Sequence, residues 1–287
     1  MPRDHAATDL ALPLQQSPMF AAALARAGAK AQHLTLENGG VILCQCLMVR
    51  RWGLSLAPRG PVFRPGLPDV MRLGLLAKLA REGLRLAEPD EAEGLRAAGF
   101  SQVLTPGWVA EWDIRPGEAE LRARMAQKWR NGLHRAEAAG LQARWHAIGS
   151  AARPGRAAGE LFAREAAQRK VRRYRALPAG LWRGWPGAEV LELKAEGEVA
   201  AQMLFLPHGR VVTYQMAWAS EAGRRTNAHR LGLLLAARRF AAGGAERMDL
   251  GAIDAAAPGL MRFKLGTGAR ARQLGGSWLR LPGLGRR

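Results

Sequence analysis

The stretch GLMRFKLGTG, residues 259–268, sets one lysine between a phenylalanine and a glycine-rich turn. The chain carries 43 Lys and Arg residues, and only six are lysine. A lysine ammonium is a compact point charge whose pKa moves when it is buried, whereas a guanidinium is a planar five-donor fork that stays charged. Lysine at 264, where arginine serves almost everywhere else, therefore suits a place that needs one compact positive charge. The plainer reading is a surface Lys264 whose stem runs past a core Phe263.

Other candidates carry the same two readings. Tyr174 and Tyr214 are the two tyrosines, and each can hydrogen-bond a phosphate, sugar or carboxylate, or simply pack. Arg173 lies beside Tyr174. Arg59, in LAPRGPVF, can hold an anionic acceptor or close a structural ion pair. Asp249 and Asp254 flank Gly251, where strand-end and turn formation account for them without chemistry; a general base is the alternative. Cys44 and Cys46 sit two apart in VILCQCLMV, so on a strand they share a face. They read as small core residues, since no Cys or His pair with metal-ligand spacing matches them. No metal and no cofactor is expected.

Several elements would position these residues. Ser17 with Pro18 starts a helix that closes at Gly28. Two β-rich runs flank Asn38-Gly39-Gly40 as a hairpin, followed by a further strand. DVMRLGLLAKLAREGL reads as a helix, LRLAEP as a short strand and EAEGLRAAGF as a small helix ending at Gly99. A long helix over about 118–139 carries Leu121, Met125, Trp129 and Leu133 as an i, i+4 apolar stripe. Arg124, Lys128 and Arg135 lie on another face of it. GLQARWHAIG reads as a strand, followed by one or two helices. Three glycine-linked strands, a helix from Asn227, the strand ERMDLGAID and a last strand GGSWLRLPG complete the chain. The order in the first ~110 residues recurs after ~140, which predicts two mixed α/β units with antiparallel meanders. The expected division is 1–112 and 113–287.

The formal charge of +19 favours anionic partners. Residues 115–175 hold 15 basic and 5 acidic residues, and residues 221–287 hold 13 and 4, so these two segments account for the whole excess. No run approaches the ~18–20 apolar residues of a membrane span. The amino terminus lacks the pattern of a secretory signal, and a cytoplasmic protein is expected.

MDLGAIDAAAPGLMRFKLGTGARARQLGG resembles the Phe-Lys region of the Fem family, aminoacyl-tRNA-dependent peptidyltransferases built from two GNAT-like lobes. LAPRGPVF is similar to the Arg-Gly-Pro stretch after the family's first meander, and MAQKWRNGLHRAEAAGL to its Lys-x-Arg helix. VVTYQMAWASEAGRRTNAHRLGLLLAARRFAAGGAERMDLG is similar to its tyrosine-bearing strand, helix and following strand. The resemblance spans residues ~15 to 280, without the long coiled-coil arm of some members. It implies a mixed α/β fold of two acyltransferase lobes, and an acceptor in the cleft between them. The activity implied is transfer of an amino acid from aminoacyl-tRNA to an amine, with a peptidoglycan precursor, nucleotide- or lipid-linked, as the family's usual acceptor. It points to Lys264 as the cation on the tetrahedral intermediate. Phe263, Tyr214, Arg59, Tyr174 and Arg173 are the expected substrate contacts. Arg124, Lys128, Arg135, Arg224 and Arg225 are the expected tRNA contacts. Gly259, Gly266 and Gly268 are expected to admit a substrate close to the backbone. The alternative donor is acyl-CoA. GRRTNAHRLG lacks the glycine pair with which GNAT enzymes cradle its pyrophosphate, and the net charge agrees better with tRNA.

Overall fold

The computed structural model describes residues 10–51, 53–174 and 176–281. In chain order, α1 (Pro18–Arg26), β1 (Ala31–Asn38), β2 (Val41–Arg51), β3 (Leu54–Pro58), β4 (Val62–Phe63), α2 (Asp69–Arg81), β5 (Leu86–Glu88) and β6 (Ser101–Leu104) come first. They are followed by β7 (Trp108–Asp113), α3 (Glu118–Arg124), α4 (Gln127–Ala138), β8 (Gln142–Ala147) and α5 (Arg156–Arg172). Next come β9 (Glu189–Ala195), β10 (Glu198–His208), β11 (Val211–Ala219), α6 (Glu221–Arg225) and α7 (Ala228–Ala242). The chain closes with β12 (Arg247–Ile253), α8 (Pro258–Leu265), β13 (Arg270–Gln273) and β14 (Ser277–Leu279).

One unit contains the chain up to Trp108 together with the segment from Arg272 onward. Its sheet runs β1-β2-β3-β5-β14-β6, with β4 paired to β2. Ser17 caps α1 by accepting from the Phe20 amide at 3.2 Å, and the hairpin turns at Gly39-Gly40, both at positive φ. Cys44 and Cys46 are fully buried with Met48, Leu76, Leu79 and Phe100. Burial pushes both thiols up, that of Cys46 to about 12, so they are inert core residues. The small helix expected at 91–100 is a series of turns. Gly94 has φ +80°, outside the helical region. The last strand does not stay with the second half of the chain: β14 lies between β5 and β6, antiparallel to both. Trp278 on β14 is buried in this unit's core, which gives the short strand its anchor.

The other unit is Val109–Ala271. Its sheet has the order β13-β7-β12-β11-β10-β9-β8. From β8 to β11 it is an antiparallel meander, after which α6 and α7 cross over to β12, parallel to β11. The stripe Leu121, Met125, Trp129 and Leu133 is buried as expected, but the helix carrying it is broken. Met125 and Ala126 are extended, and the Ala126 amide leaves the helix to donate to the Gly266 carbonyl at 3.0 Å. Arg122 braces the two pieces by pairing with Glu118 on α3 and Glu137 on α4.

Candidate active site

The parallel pairing of β11 with β12 covers only Val211–Thr213 against Arg247–Asp249. Both strands continue, β11 to Ala219 and β12 to Ile253, but without pairing to each other, so the sheet opens. Within β11 a bulge leaves Gln215 without a register partner, since Leu204 faces Met216 and Phe205 faces Tyr214. Such bulges re-aim side chains and free backbone groups. A cleft of 610 Å³ occupies the opening, within the usual range for small-molecule sites. Tyr214, Gln215 and Met216 of β11 line it, with Leu250 of β12, Phe263 and Lys264 of α8, and His229 of α7.

Lys264 sits in the last turn of α8 and is 7% exposed. Its Nζ donates to the Ala252 carbonyl at 2.7 Å. That contact uses one of three ammonium protons. Burial lowers its pKa to about 8, and the Asp249 carboxylate opposes the shift. The snorkelling reading of this lysine therefore fails. Asp249 is itself buried and accepts from the Gly251 amide at 2.7 Å. Asp254 accepts from the Ala256 amide at 2.8 Å, so both aspartates make turn contacts.

Phe263 packs between Trp129 and His229, with ring centroids 6.3 and 6.4 Å away. Tyr214 is half-buried against Phe205, and burial raises the pKa of its hydroxyl. Tyr174 also lines the cleft and donates to Glu165 Oε1 at 3.1 Å. Arg224 is the further cation on the lining and donates to the Ala219 carbonyl at 2.8 Å. The structure therefore brings Lys264, Phe263, Tyr214, Tyr174 and Arg224 to one cleft.

The remaining expected residues lie elsewhere. Arg59 belongs to the other unit, where it makes a two-point ion pair with Asp90, including Nη2 to Oδ2 at 2.9 Å. Arg272 donates to the same Asp90 at 2.6 Å. The guanidiniums hold the Asp90 carboxyl below its ordinary pKa against the opposing effect of burial. Arg173 is exposed at the C-cap of α5. Arg124, Lys128, Arg135 and Arg225 are all exposed. Arg124 pairs with Glu120 on α3 and Arg225 with Glu221 at 2.7 Å. The break at Met125–Ala126 removes Arg124 from the helical register of Lys128 and Arg135.

Two of the glycines near Lys264 sit in close packing. A Cβ at Gly266 would meet Trp129 Cδ1 at 2.5 Å, and one at Gly268 would meet the Arg124 carbonyl at 2.9 Å. Both are small so that the α3–α4 junction can press against the turn after α8. Gly259 has open space around it. Sequence reasoning missed His229. Its Nε2 lies 3.1 Å from the Trp218 carbonyl, and a carbonyl only accepts, so Nε2 carries the proton and Nδ1 is the free acceptor. Burial lowers its pKa, which favours the neutral ring. A lone histidine in a leucine-rich helix gave no signal of this placement.

Two mixed α/β units, the second with a crossover and a splayed parallel pair, define a fold of the Fem type. Among solved structures it is similar to FemX, with a TM-score of 0.77 over 93% of this chain and 91% of that one at 12% identity. It is also similar to the C-terminal domain of a putative lysylphosphatidylglycerol synthetase from Agrobacterium fabrum, with a TM-score of 0.57 over 93% and 88% at 14% identity. The L-PGS structure from Bacillus licheniformis follows at 0.52 over 93% and 92%, again at 12% identity. Likeness at such identities speaks for the fold and leaves the chemistry to the site. No protein-family model and no curated protein matches the sequence.

Proposed function

We propose that the chain is an acyltransferase that moves an amino acid from aminoacyl-tRNA to an amine of an anionic acceptor, with a peptidoglycan-precursor stem peptide as the first candidate. The observation that carries this reading is the buried Lys264 ammonium in a cleft opened by two diverging parallel strands. The neutral acceptor amine attacks the ester carbonyl carbon, forming a C–N bond. Negative charge gathers on the carbonyl oxygen, which accepts from a free Nζ–H of Lys264. Collapse of the intermediate breaks the ester C–O bond, and the amine proton leaves with the ribose hydroxyl. The ester is already activated, so positioning and one oxyanion donor are sufficient. Arg224 and the exposed Arg225, Lys128 and Arg135 supply positive charge for the tRNA backbone.

The test is a transfer assay that offers labelled aminoacyl-tRNAs and labelled acetyl-CoA in parallel, with a nucleotide-linked muramyl pentapeptide as acceptor. Label moving from tRNA, and lost in Lys264→Ala, is the expected result. Label moving only from acetyl-CoA would replace the donor and leave the fold standing.

A further inference from the structure

The unit Val109–Ala271 exposes four large hydrophobic residues among those described; two line the cleft and the other two flank one of these in sequence. Tyr174 (38% exposed) and Leu260 (51%) line the cleft. Val171 (81%) and Leu177 (45%) stand three residues to either side of Tyr174. The run that carries three of them, KVRRYRALP from Lys170 to Pro178, holds four basic residues and no acidic one. Lys170 and Arg173 within it are exposed.

Scattered apolar side chains on a surface need no explanation, but a cluster beside a cleft does. The basic residues of this run would suit any polyanion. The aliphatic ones discriminate, because a phosphodiester backbone offers Val171, Leu177 and Leu260 nothing to bury against. A bilayer of anionic lipids offers both an acyl boundary for the aliphatics and phosphates for the cations. We propose that the rim of this cleft docks peripherally on an anionic lipid bilayer through Val171, Leu177 and Leu260, with Lys170 and Arg173 on the headgroups. No helix among the described residues is long and apolar enough to cross a membrane, and the contact needs none. Docking would present the cleft to an amine at the membrane surface. The inference does not depend on the donor or on turnover, so its failure leaves the proposed transfer reaction untouched.

The experiment is co-sedimentation of the full chain with vesicles of phosphatidylcholine alone and of phosphatidylcholine mixed with phosphatidylglycerol. Binding to the mixed vesicles is expected, weakened about tenfold in Val171→Ser/Leu177→Ser and also reduced in Leu260→Ser. Circular dichroism and tRNA retention should be unchanged in Val171→Ser/Leu177→Ser, whose replaced side chains are exposed. Val70→Ser alters a residue 76% exposed in the other unit and should bind vesicles like the wild type. Three results would overturn the proposal: no binding to anionic vesicles, equal binding by wild type and the rim variants, or rim variants that lose tRNA while keeping vesicles. The last would assign the rim to RNA.

Discussion

The indole Nε1 of Trp129 donates to the carbonyl oxygen of Phe263 at 2.9 Å, tying α4 to the residue immediately before Lys264. The bond holds the last turn of α8, from which the lysine reaches the Ala252 carbonyl. Arg230 secures the other side of the contact by donating to the Lys128 and Trp129 carbonyls at 2.7 and 3.0 Å. The position of Lys264 is therefore set by a helix remote in sequence.

Trp129→Phe keeps much of the apolar volume and removes the donor. It should cost about 1–3 kcal/mol in urea unfolding. Transfer should slow further than this loss explains, because a cation displaced from a developing oxyanion loses much of its effect. Unchanged transfer at reduced stability would separate the indole from the site.

The two glycine readings make opposite forecasts. Gly266→Ala puts a methyl 2.5 Å from Trp129 and should destabilise by about 1–3 kcal/mol through overpacking. Gly259→Ala meets open space early in α8 and should be neutral or stabilising by up to ~1 kcal/mol. Thermal melts of both variants decide the matter. Equal stability with impaired transfer in both would restore the expectation that the glycines admit substrate.

The pH dependence of transfer tests the charge state of Lys264. Its pKa of about 8 leaves the ammonium dominant at neutral pH and lost above that value. The ammonium stabilises an oxyanion far better than the neutral amine does, so transfer should fall as pH rises through about 8. A lysine acting as a general base would give the reverse. Lys264→Arg should transfer slowly, since the fork fits a single oxygen poorly, and its residual rate should not show that fall because guanidinium does not titrate in this range.

Much of this arrangement is legible in the sequence wherever the pattern is local. The Leu121–Leu133 stripe, the Gly39-Gly40 hairpin and the three-strand meander follow from periodicity and turn chemistry. The Phe-Lys resemblance singled out a lysine that is buried on the cleft lining. What stays hidden depends on contacts between distant residues. The break at Met125–Ala126 exists because an amide turns to Gly266, 140 positions away. The placement of β14 between β5 and β6 is a long-range pairing that no local window encodes. Arg59 and Asp90 look unremarkable apart, and the ion pair that occupies Arg59 appears only when the fold brings them together. His229 lines the cleft beside Phe263, a neighbour 34 positions away that only the fold brings to it.

Lys264 should also be a place where stability is given up for function. Its unfolded pKa is near 10.5 and its folded pKa is about 8, so folding disfavours the charged form. Below pH 8 both states carry the proton and the cost is fully present, on the order of 3 kcal/mol. Between about 8 and 10.5 the unfolded chain binds more protons than the folded one, so this residue's contribution to stability rises with pH until the cost is gone. Lys264→Met keeps the buried stem and carries no charge. It should raise stability in urea at pH 7 by up to a few kcal/mol, with the gain shrinking toward pH 10.5, while transfer is lost. Unfolding curves of the two proteins at pH 7 and pH 10 supply the comparison. A variant less stable than wild type at pH 7 would mean that the hydrogen bond to Ala252 and the attraction of Asp249 outweigh the ammonium's burial, and the lysine would then be structural.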